Sequence, residues 1–582
     1  MKNLVASNIY RKDIDGLRAL AVLAVILFHS GYLPNGYLGV DIFFVISGFL
    51  ITKTIYIEIN ENRFSLFAFY LRRIRRIIPL VLIVNFIALI IGICVMLPND
   101  LENLVESIIA TNIFSNNILQ YITTGDYWNV INEYKPLMHT WSLGIEEQYY
   151  LFYPFVFLII GRWKKKYIFP TLIILTSISL ILFLFPSFDD VSKFYLIPFR
   201  FFEISLGGIG AIIFKDKVIK YRFSWILIFV ILFILCFNVV YIPNNFKLLL
   251  IVTMSLGLII SANSQNRVSS IILENKLIVG IGKISFSLYM WHQLIFAYCR
   301  YFVLEEINFT STIILYILIF SLSIVSYNII EKPFRNKKKI SVSILIWLVS
   351  IGFVITTGLS FFIYFRAGVI RDIPELDITQ SNIQKNIHAQ YNDNIYSMNK
   401  EFTTSNKIKV LIIGDSQARD WANILLESKF NENIEISYIF SLSNNDNVRN
   451  RLDRADYIYF SGLNKQLYDE YAKQYSIDTL KVWCVGIKKF GVCNGIFYNK
   501  RGSKDYLYQK TIIKKDISDR NTTLKDQWGN KYIDLIEMNI DQNGFVPVFT
   551  PNGKFISPDC VHLSKAGAIY FAGFVEKQIQ IN

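Results

Sequence analysis

Two groups of residues in this chain have the types and spacing that chemistry requires. The first is Arg18 and His29, which bracket ten apolar residues in DIDGLRALAVLAVILFH, residues 13–29. In a helix, eleven residues at roughly 100° each make about three turns plus 20°, so both side chains share one face, roughly 16 Å apart along the axis. Ionisable groups inside an apolar span are costly and mark a site. Neutral imidazole is the natural general base near pH 7, and His29 is the best placed because Arg18 is its fixed partner on that face. The second group is Ser416 in IKVLIIGDSQ, residues 408–417, with Asp559 and His562 in SPDCVHLSKAGA, residues 557–568. A strand ending in Gly414–Asp415–Ser416 before a helix presents the serine at a strand's carboxyl end, where α/β sites form. Asp559, three residues before His562, is spaced to orient the imidazole as base for Ser416. Between them, Gly462 and Asn464 in DYIYFSGLN offer a backbone N–H and a side-chain amide for an oxyanion hole.

Other polar residues interrupt apolar stretches. YLRRIRRIIP, residues 70–79, packs four arginines into five positions, with Arg73 and Arg76 on one helical face, a better phosphate clamp than a topology signal. MHTWSLGIEEQYYLFYP, residues 138–154, brings His139, Glu146 and Glu147 into an apolar segment. Arg200 and Glu203 in RFFE form an i,i+3 pair that can neutralise itself in hydrocarbon. His292 sits mid-span in GKISFSLYMWHQ, and Glu331 and Arg335 in SYNIIEKPFR are spaced for a structural ion pair. Arg73, Arg76, Glu146, His139, Arg200, Glu203 and His292 together form the expected donor-binding set. No spacing of His, Cys or acidic residues suggests a metal site, and none is expected.

The elements that must position these groups follow from composition. Of 582 residues, 53% are hydrophobic, and the mean hydropathy is +0.38. Apolar runs recur to about residue 364 and then stop, which describes a polytopic α-helical membrane bundle followed by a soluble domain. Candidate spans are 17–30, 39–57, 77–97, 145–160, 168–185, 199–213, 223–241, 247–262, 284–303, 311–330 and 340–364, giving ten to eleven crossings. No small-residue cleavage site follows Lys2, Arg11 and Lys12, so the first helix is retained. With the N-terminus inside, the cytoplasmic segments hold 24 Lys plus Arg and the outer ones 4, which places everything after residue 364 outside. The net charge of +14 follows from the same asymmetry. No basic patch interleaved with aromatics suggests nucleic acid. Residues 366–406 read as a polar linker. From 407 to 582, strands at 408–413, 434–440, 456–460, 481–485 and 545–549 alternate with helices at 417–428, 464–474 and 563–579, an α/β domain with a mostly parallel sheet. Cys484 and Cys493 close a short loop that outside the cytoplasm can carry a disulfide; Cys560 is left unpaired.

The blocks DGLR running to His29, GVDIFFVISGFLIT, RRIRRIIP, HTWSLGIEEQYYLFYP, RFFE, SFSLYMWH and EKPFR stand in the order seen in the acyltransferase-3 family of membrane O-acyltransferases, which this chain resembles over roughly residues 10–335. The resemblance implies transfer of an acyl group, most often acetyl, from cytoplasmic acyl-coenzyme A to a glycan across the membrane, with no bound cofactor. It also implies that Arg18 and His29 are the essential pair, that Arg73 and Arg76 match a paired-arginine motif, and that Glu146 is the acid of the WSL motif. Residues 407–582 resemble the SGNH hydrolase superfamily in the version fused to such membrane domains. Gly414–Asp415–Ser416 matches its first block, Gly462-x-Asn464 its third and Asp559-x-x-His562 its fifth. The second block's glycine has no counterpart where 434–440 runs into Ser441–Leu442–Ser443.

Together these readings predict a bacterial inner-membrane O-acetyltransferase with acetyl-CoA as donor, embedded in membrane lipid, with a periplasmic or extracellular C-terminal domain. The acceptor is a hydroxyl of a surface polysaccharide such as lipopolysaccharide O-antigen. The alternatives are peptidoglycan as acceptor, or an exporter carrying an outer esterase domain.

Overall fold

The computed structural model describes residues 10–123, 130–214, 224–238, 241–261, 267–302, 308–381, 387–403, 406–442, 447–488 and 494–579. The chain forms two compact units, one of residues 1–94 with 103–362, the other of 95–102 with 363–582.

The first unit is helical, and each of the eleven predicted spans falls on a helix. Six stretches among the described residues are long and apolar enough to cross a membrane: Gly36–Asn60, Leu66–Val95, Asp190–Ile213, Asn244–Ser261, Phe309–Arg335 and Val342–Tyr364. Ile168–Leu184 and Ser224–Cys236 are apolar but shorter. Val342–Tyr364 leaves most of its large side chains outward, Trp347 and Val354 among them. That inversion of soluble-protein packing is stable where the solvent is lipid. Residues 98–144, between the predicted spans 77–97 and 145–160, contain the helices Pro98–Asn112 and Asn116–Thr123. Their mixed polar and apolar faces carry no span-like run.

Glycines set the closest crossings. A Cβ on Gly48 would lie 1.6 Å from the Ile204 carbonyl oxygen, and one on Gly207 would lie 2.1 Å from that of Val45. Helices Gly39–Asn60 and Ile197–Ile213 therefore touch backbone to backbone, as small residues permit in membranes. Gly16 of the DGLR block does the same against Leu273.

The second unit is built on a five-stranded parallel sheet. Its strands are β1 (Ile408–Ile413), β2 (Ile434–Ile439), β3 (Tyr457–Ser461), β4 (Val482–Val485) and, after β5 (Lys510–Ile512), β6 (Tyr532–Ile533). The order is β2-β1-β3-β4-β6, all parallel. The chain winds from β1 outward to β2 and returns to β3 on the other side, so the winding direction reverses between β1 and β3, where open α/β sheets open a crevice. Residues 545–549, expected in this sheet, form β7 (Phe545–Pro547) and pair antiparallel with β5 instead. The helices Val448–Arg454 and Lys515–Trp528 were not anticipated from the sequence.

The stretch 366–406 is not a free linker. Ile373, Leu376 and Ile378 pack with Phe497, Phe549 and Phe555; Ile395 and Phe402 are buried against the sheet's two faces. Its apolar residues are spaced without a period, so a pattern search passes over them.

Candidate active sites

In the helical unit, Arg18 and His29 lie on one helix, Lys12–His29, as their spacing requires. Asp15, one turn before Arg18, pairs with it at 3.2 Å. Of the four clustered arginines, two are committed to structure. Arg72 pairs with Glu58 at 3.0 Å, and Arg75 donates to the carbonyls of Phe334 and Ile340 at 3.0 and 2.8 Å. Arg73 and Arg76 instead line a cleft enclosing about 780 Å³, counting its open mouth, together with Arg18, Glu146, Ser142 and Tyr289. Glu146 is held by Ser47 at 3.0 Å and by the Tyr150 hydroxyl at 3.2 Å. Arg73 lies over the Tyr150 ring at 5.8 Å, leaving its Nε buried with no hydrogen-bond partner among the described residues. Three guanidinium groups facing one cleft suit a polyanionic ligand.

Tyr289 forms part of the cleft wall. Its hydroxyl donates to the His139 carbonyl at 2.7 Å and is 2.6 Å from the Ser142 hydroxyl. Its ring packs on His139 and His292, with centroids 5.2 and 5.4 Å apart. His292 in turn lies 5.1 Å from His29 and 5.2 Å from His139. Three histidines far apart in sequence thus form one cluster adjoining the cleft. His292 Nδ1 is 2.6 Å from the Tyr289 carbonyl, and its Nε2 is buried with no hydrogen-bond partner among the described residues.

Four of the seven expected donor-binding residues do not line the cleft. His292 adjoins it through Tyr289, and His139 through Tyr289 and through Ser142, whose hydroxyl donates to the His139 carbonyl at 3.4 Å. Arg200 and Glu203 are committed elsewhere. Arg200 binds Asp41 at 2.9 Å, Glu203 at 2.6 Å and the Phe194 carbonyl at 3.1 Å, and its guanidinium faces Trp141 and Phe194. The two carboxylates oppose one buried guanidinium between the two helices that cross through glycine. Asp41 was missed in the sequence, although a carboxylate in GVDIFF is the kind of residue an apolar helix excludes without reason. Nothing in the sequence pattern singled out Tyr289. Glu331 pairs with Arg335 as anticipated and also accepts from Ser287.

In the second unit, Gly414 ends β1 with φ +142° and donates to the Ile439 carbonyl at 3.0 Å. A Cβ there would lie 3.1 Å from that of Ala418 and 3.5 Å from that of Ser461, so the ends of β1 and β3 meet closely at the crevice. The Tyr438 hydroxyl pins the turn by donating to the carbonyls of Gly414 and Asp415 at 2.7 and 3.2 Å. Asp415 caps the helix Ser416–Leu426 by accepting from Gln417 N–H at 2.9 Å, which puts Ser416 at its first position. His562 Nδ1 is 2.6 Å from Asp559 Oδ2, while Asp559 Oδ1 accepts the N–H groups of His562 and Val561 at 2.7 and 2.9 Å. Burial works to raise the Asp559 carboxyl, but the His562 hydrogen bond and charge and these two amides outweigh it and hold the group at about 2. A carboxylate bonded to Nδ1 leaves Nε2 as the ring atom that exchanges a proton with a hydroxyl.

The oxyanion assignment is corrected at Gly462. Its N–H donates to the Val485 carbonyl at 2.9 Å, continuing the β3–β4 ladder, so it is not free for a substrate. Asn464 uses Oδ1 to cap the helix Lys465–Tyr475, accepting from Leu467 N–H at 2.8 Å, and stays exposed with its amide Nδ2 as a donor. Cys493 and Ser443 lie outside the described residues. Cys484 is buried on β4, and Cys560 is buried beside Asn494. No group of three or more His, Cys, Asp or Glu among the described residues could hold a metal ion.

The model of the acyltransferase domain matches residues 11–330. O-acetyltransferase OatA of Staphylococcus aureus strain NCTC 8325 is 32% identical over 352 residues, covering 56% of this chain and 58% of that protein. The protein named "Putative O-acetyltransferase SAS0844" of strain MSSA476 is 32% identical over 360 residues, with the same coverages. The chain therefore matches somewhat over half the length of these curated relatives. No solved structure matches significantly. With the family model spanning more than half of its length, over a helical bundle that gathers Arg18, Arg73, Arg76 and Glu146 at one cleft and holds several helices apolar and long enough to cross a membrane, the chain belongs to the acyltransferase-3 family.

Proposed function

We propose that this protein is an O-acetyltransferase that takes an acetyl group from cytoplasmic acetyl-CoA and delivers it to a hydroxyl of a cell-surface glycan outside the cytoplasmic membrane. The observation that carries the donor half is the cleft with Arg18, Arg73 and Arg76, charged for a pyrophosphate-bearing thioester, abutting the histidine cluster through Tyr289. His29 acts as general base there. Asp559 and His562 support the acceptor half. His562 takes the Ser416 proton as Ser416 Oγ bonds to the acetyl carbon, and passes it to the group that carried the acetyl as that group's bond to the carbon breaks; it then takes the proton of a sugar hydroxyl as that oxygen bonds to the acetyl carbon, and returns it to Ser416 Oγ as the serine ester bond breaks. Asn464 Nδ2 and the backbone N–H of Ser416 are the oxyanion donors in this reading.

The acceptor in the first instance is lipopolysaccharide O-antigen, with peptidoglycan as the competing acceptor of the same chemistry. The test measures ester-linked acetate on isolated surface polysaccharide and on peptidoglycan, from cells carrying the intact protein, His29→Ala, Ser416→Ala or none. Acetate that depends on both residues supports the two-site scheme, and the fraction that carries it names the acceptor. Retention with Ser416→Ala assigns transfer to the membrane unit alone. A rise in acetate on deletion makes the protein an esterase.

A further inference from the structure

Next to the partly exposed Asp559–His562 pair lies a fully buried ion pair that the scheme above leaves unused. Lys488 follows β4 in VGIKKF, and Asp420 stands four residues after Ser416 on the helix Ser416–Leu426. Both side chains are completely inaccessible, and Lys488 Nζ contacts Asp420 Oδ2. Each partner also holds the backbone next to His562. Lys488 Nζ donates to the Val561 carbonyl at 2.7 Å, and Asp420 Oδ2 accepts from the Leu563 N–H at 2.9 Å. Asp559 Oδ1 takes the N–H groups of Val561 and His562 from the other side. The peptide on each flank of His562 is therefore tied to a buried charge, and one of those charges is one helical turn from Ser416.

A buried ion pair is a poor investment for stability, since an apolar pair of equal volume often serves as well. An apolar pair, however, cannot bond the Val561 carbonyl and the Leu563 N–H, which would then be buried without partners. We infer that Asp420 and Lys488 are positioning residues that tie the His562 loop to the helix bearing Ser416 and fix the base relative to the nucleophile. The pair touches no reacting atom. The inference rests on the reading of Ser416, Asp559 and His562 as an acyl-transfer site.

The test uses the full-length protein in detergent, with p-nitrophenyl acetate as the acetyl donor and water as acceptor, and follows kcat, KM and thermal melting for each variant. A loosened base is expected to cut kcat of Lys488→Met about 100-fold, since displacements near 1 Å have that cost. KM should stay within about threefold, because ester binding does not involve the pair. Lys488→Arg, which keeps a cationic donor, is expected to recover kcat to within about tenfold of the parent. Asp420→Asn, which keeps an acceptor for Leu563 N–H, should fall between them and remain folded. Unchanged kcat in folded Lys488→Met and Asp420→Asn overturns the inference. So does loss of the fold in every variant, which makes the pair a scaffold only. If Ser416→Ala hydrolyses the ester as fast as the parent, the reading of the site itself fails, whatever the Lys488 variants do.

Discussion

His562 and His29 stand in opposite surroundings. His562 has a carboxylate partner at 2.6 Å and a side chain that keeps 28% of its exposure. His29 packs against His292, which packs against His139, and no carboxylate among the described residues forms an ion pair with any of the three rings. Three buried carboxylates of the helical unit have partners elsewhere, Asp41 and Glu203 with Arg200, Glu146 with Ser47 and Tyr150. A soluble domain can keep an aspartate beside a histidine because backbone amides and water compensate the charge. In an apolar bundle each added carboxylate needs its own cation or donors. The difference teaches that the histidines of the helical unit have one another as neighbours, whereas the histidine of the α/β unit has a fixed carboxylate on Nδ1.

The largest effects test whether both sites are needed at all. His29→Ala and Ser416→Ala are each expected to lower glycan acetylation in cells by more than about 10³-fold, the scale of losing a general base or a nucleophile. Next, Asp559→Asn is expected to lower kcat for ester hydrolysis by about 10³-fold, the consequence of a wrongly oriented ring. His292→Gln should reduce transfer from acetyl-CoA by only about 10–100-fold, because no ion pair is broken. Equal losses would erase the distinction between the sites.

Within the helical unit, the Arg200 cluster and the cleft arginines separate packing from binding. Arg200→Ala leaves two buried carboxylates without their cation and is expected to destabilise the unit by roughly 3–5 kcal/mol, read by melting in detergent. Arg73→Ala and Arg76→Ala should instead raise KM for acetyl-CoA about tenfold each with the melting temperature little changed. A KM effect from Arg72→Ala as large as theirs would contradict the assignment of Arg72 to Glu58.

The smallest effect concerns pH. Asp559 lies below the ordinary carboxylate value of 3.8, at about 2, so its contribution to stability is complete above 3.8 and is lost as pH falls through about 2. Because the side chain is over a third exposed, the loss is expected to be modest. Acid unfolding followed by tryptophan fluorescence should show a shallower slope in this window for Asp559→Asn.

Much of this was legible in the residues themselves. Apolar runs long enough to leave no other option marked the helices, because lipid forbids unpaired backbone. The alternation after residue 407 marked the parallel sheet, and Asp559-x-x-His562 marked an ion pair that one turn of chain can close. Short, period-free contacts were not legible. The stretch 366–406 packs through scattered residues such as Ile373 and Phe402, and β6, two residues long, displaced 545–549 from the sheet.

Local chemistry, then, was set by the sequence alone. It determined which residues carry charge into apolar helices, which serine follows a strand, and which carboxylate neighbours which imidazole in the chain. Only the tertiary structure decided partners that lie on different elements. It gathered His29, His139 and His292, turned Arg72 and Arg75 away from the cleft and Arg73 and Arg76 into it, gave Arg200 to Asp41, and spent the Gly462 N–H on Val485. The physical reason is that a hydrogen-bonding group has many chemically acceptable partners, and only the packing of the chain fixes which of them lies within 3 Å.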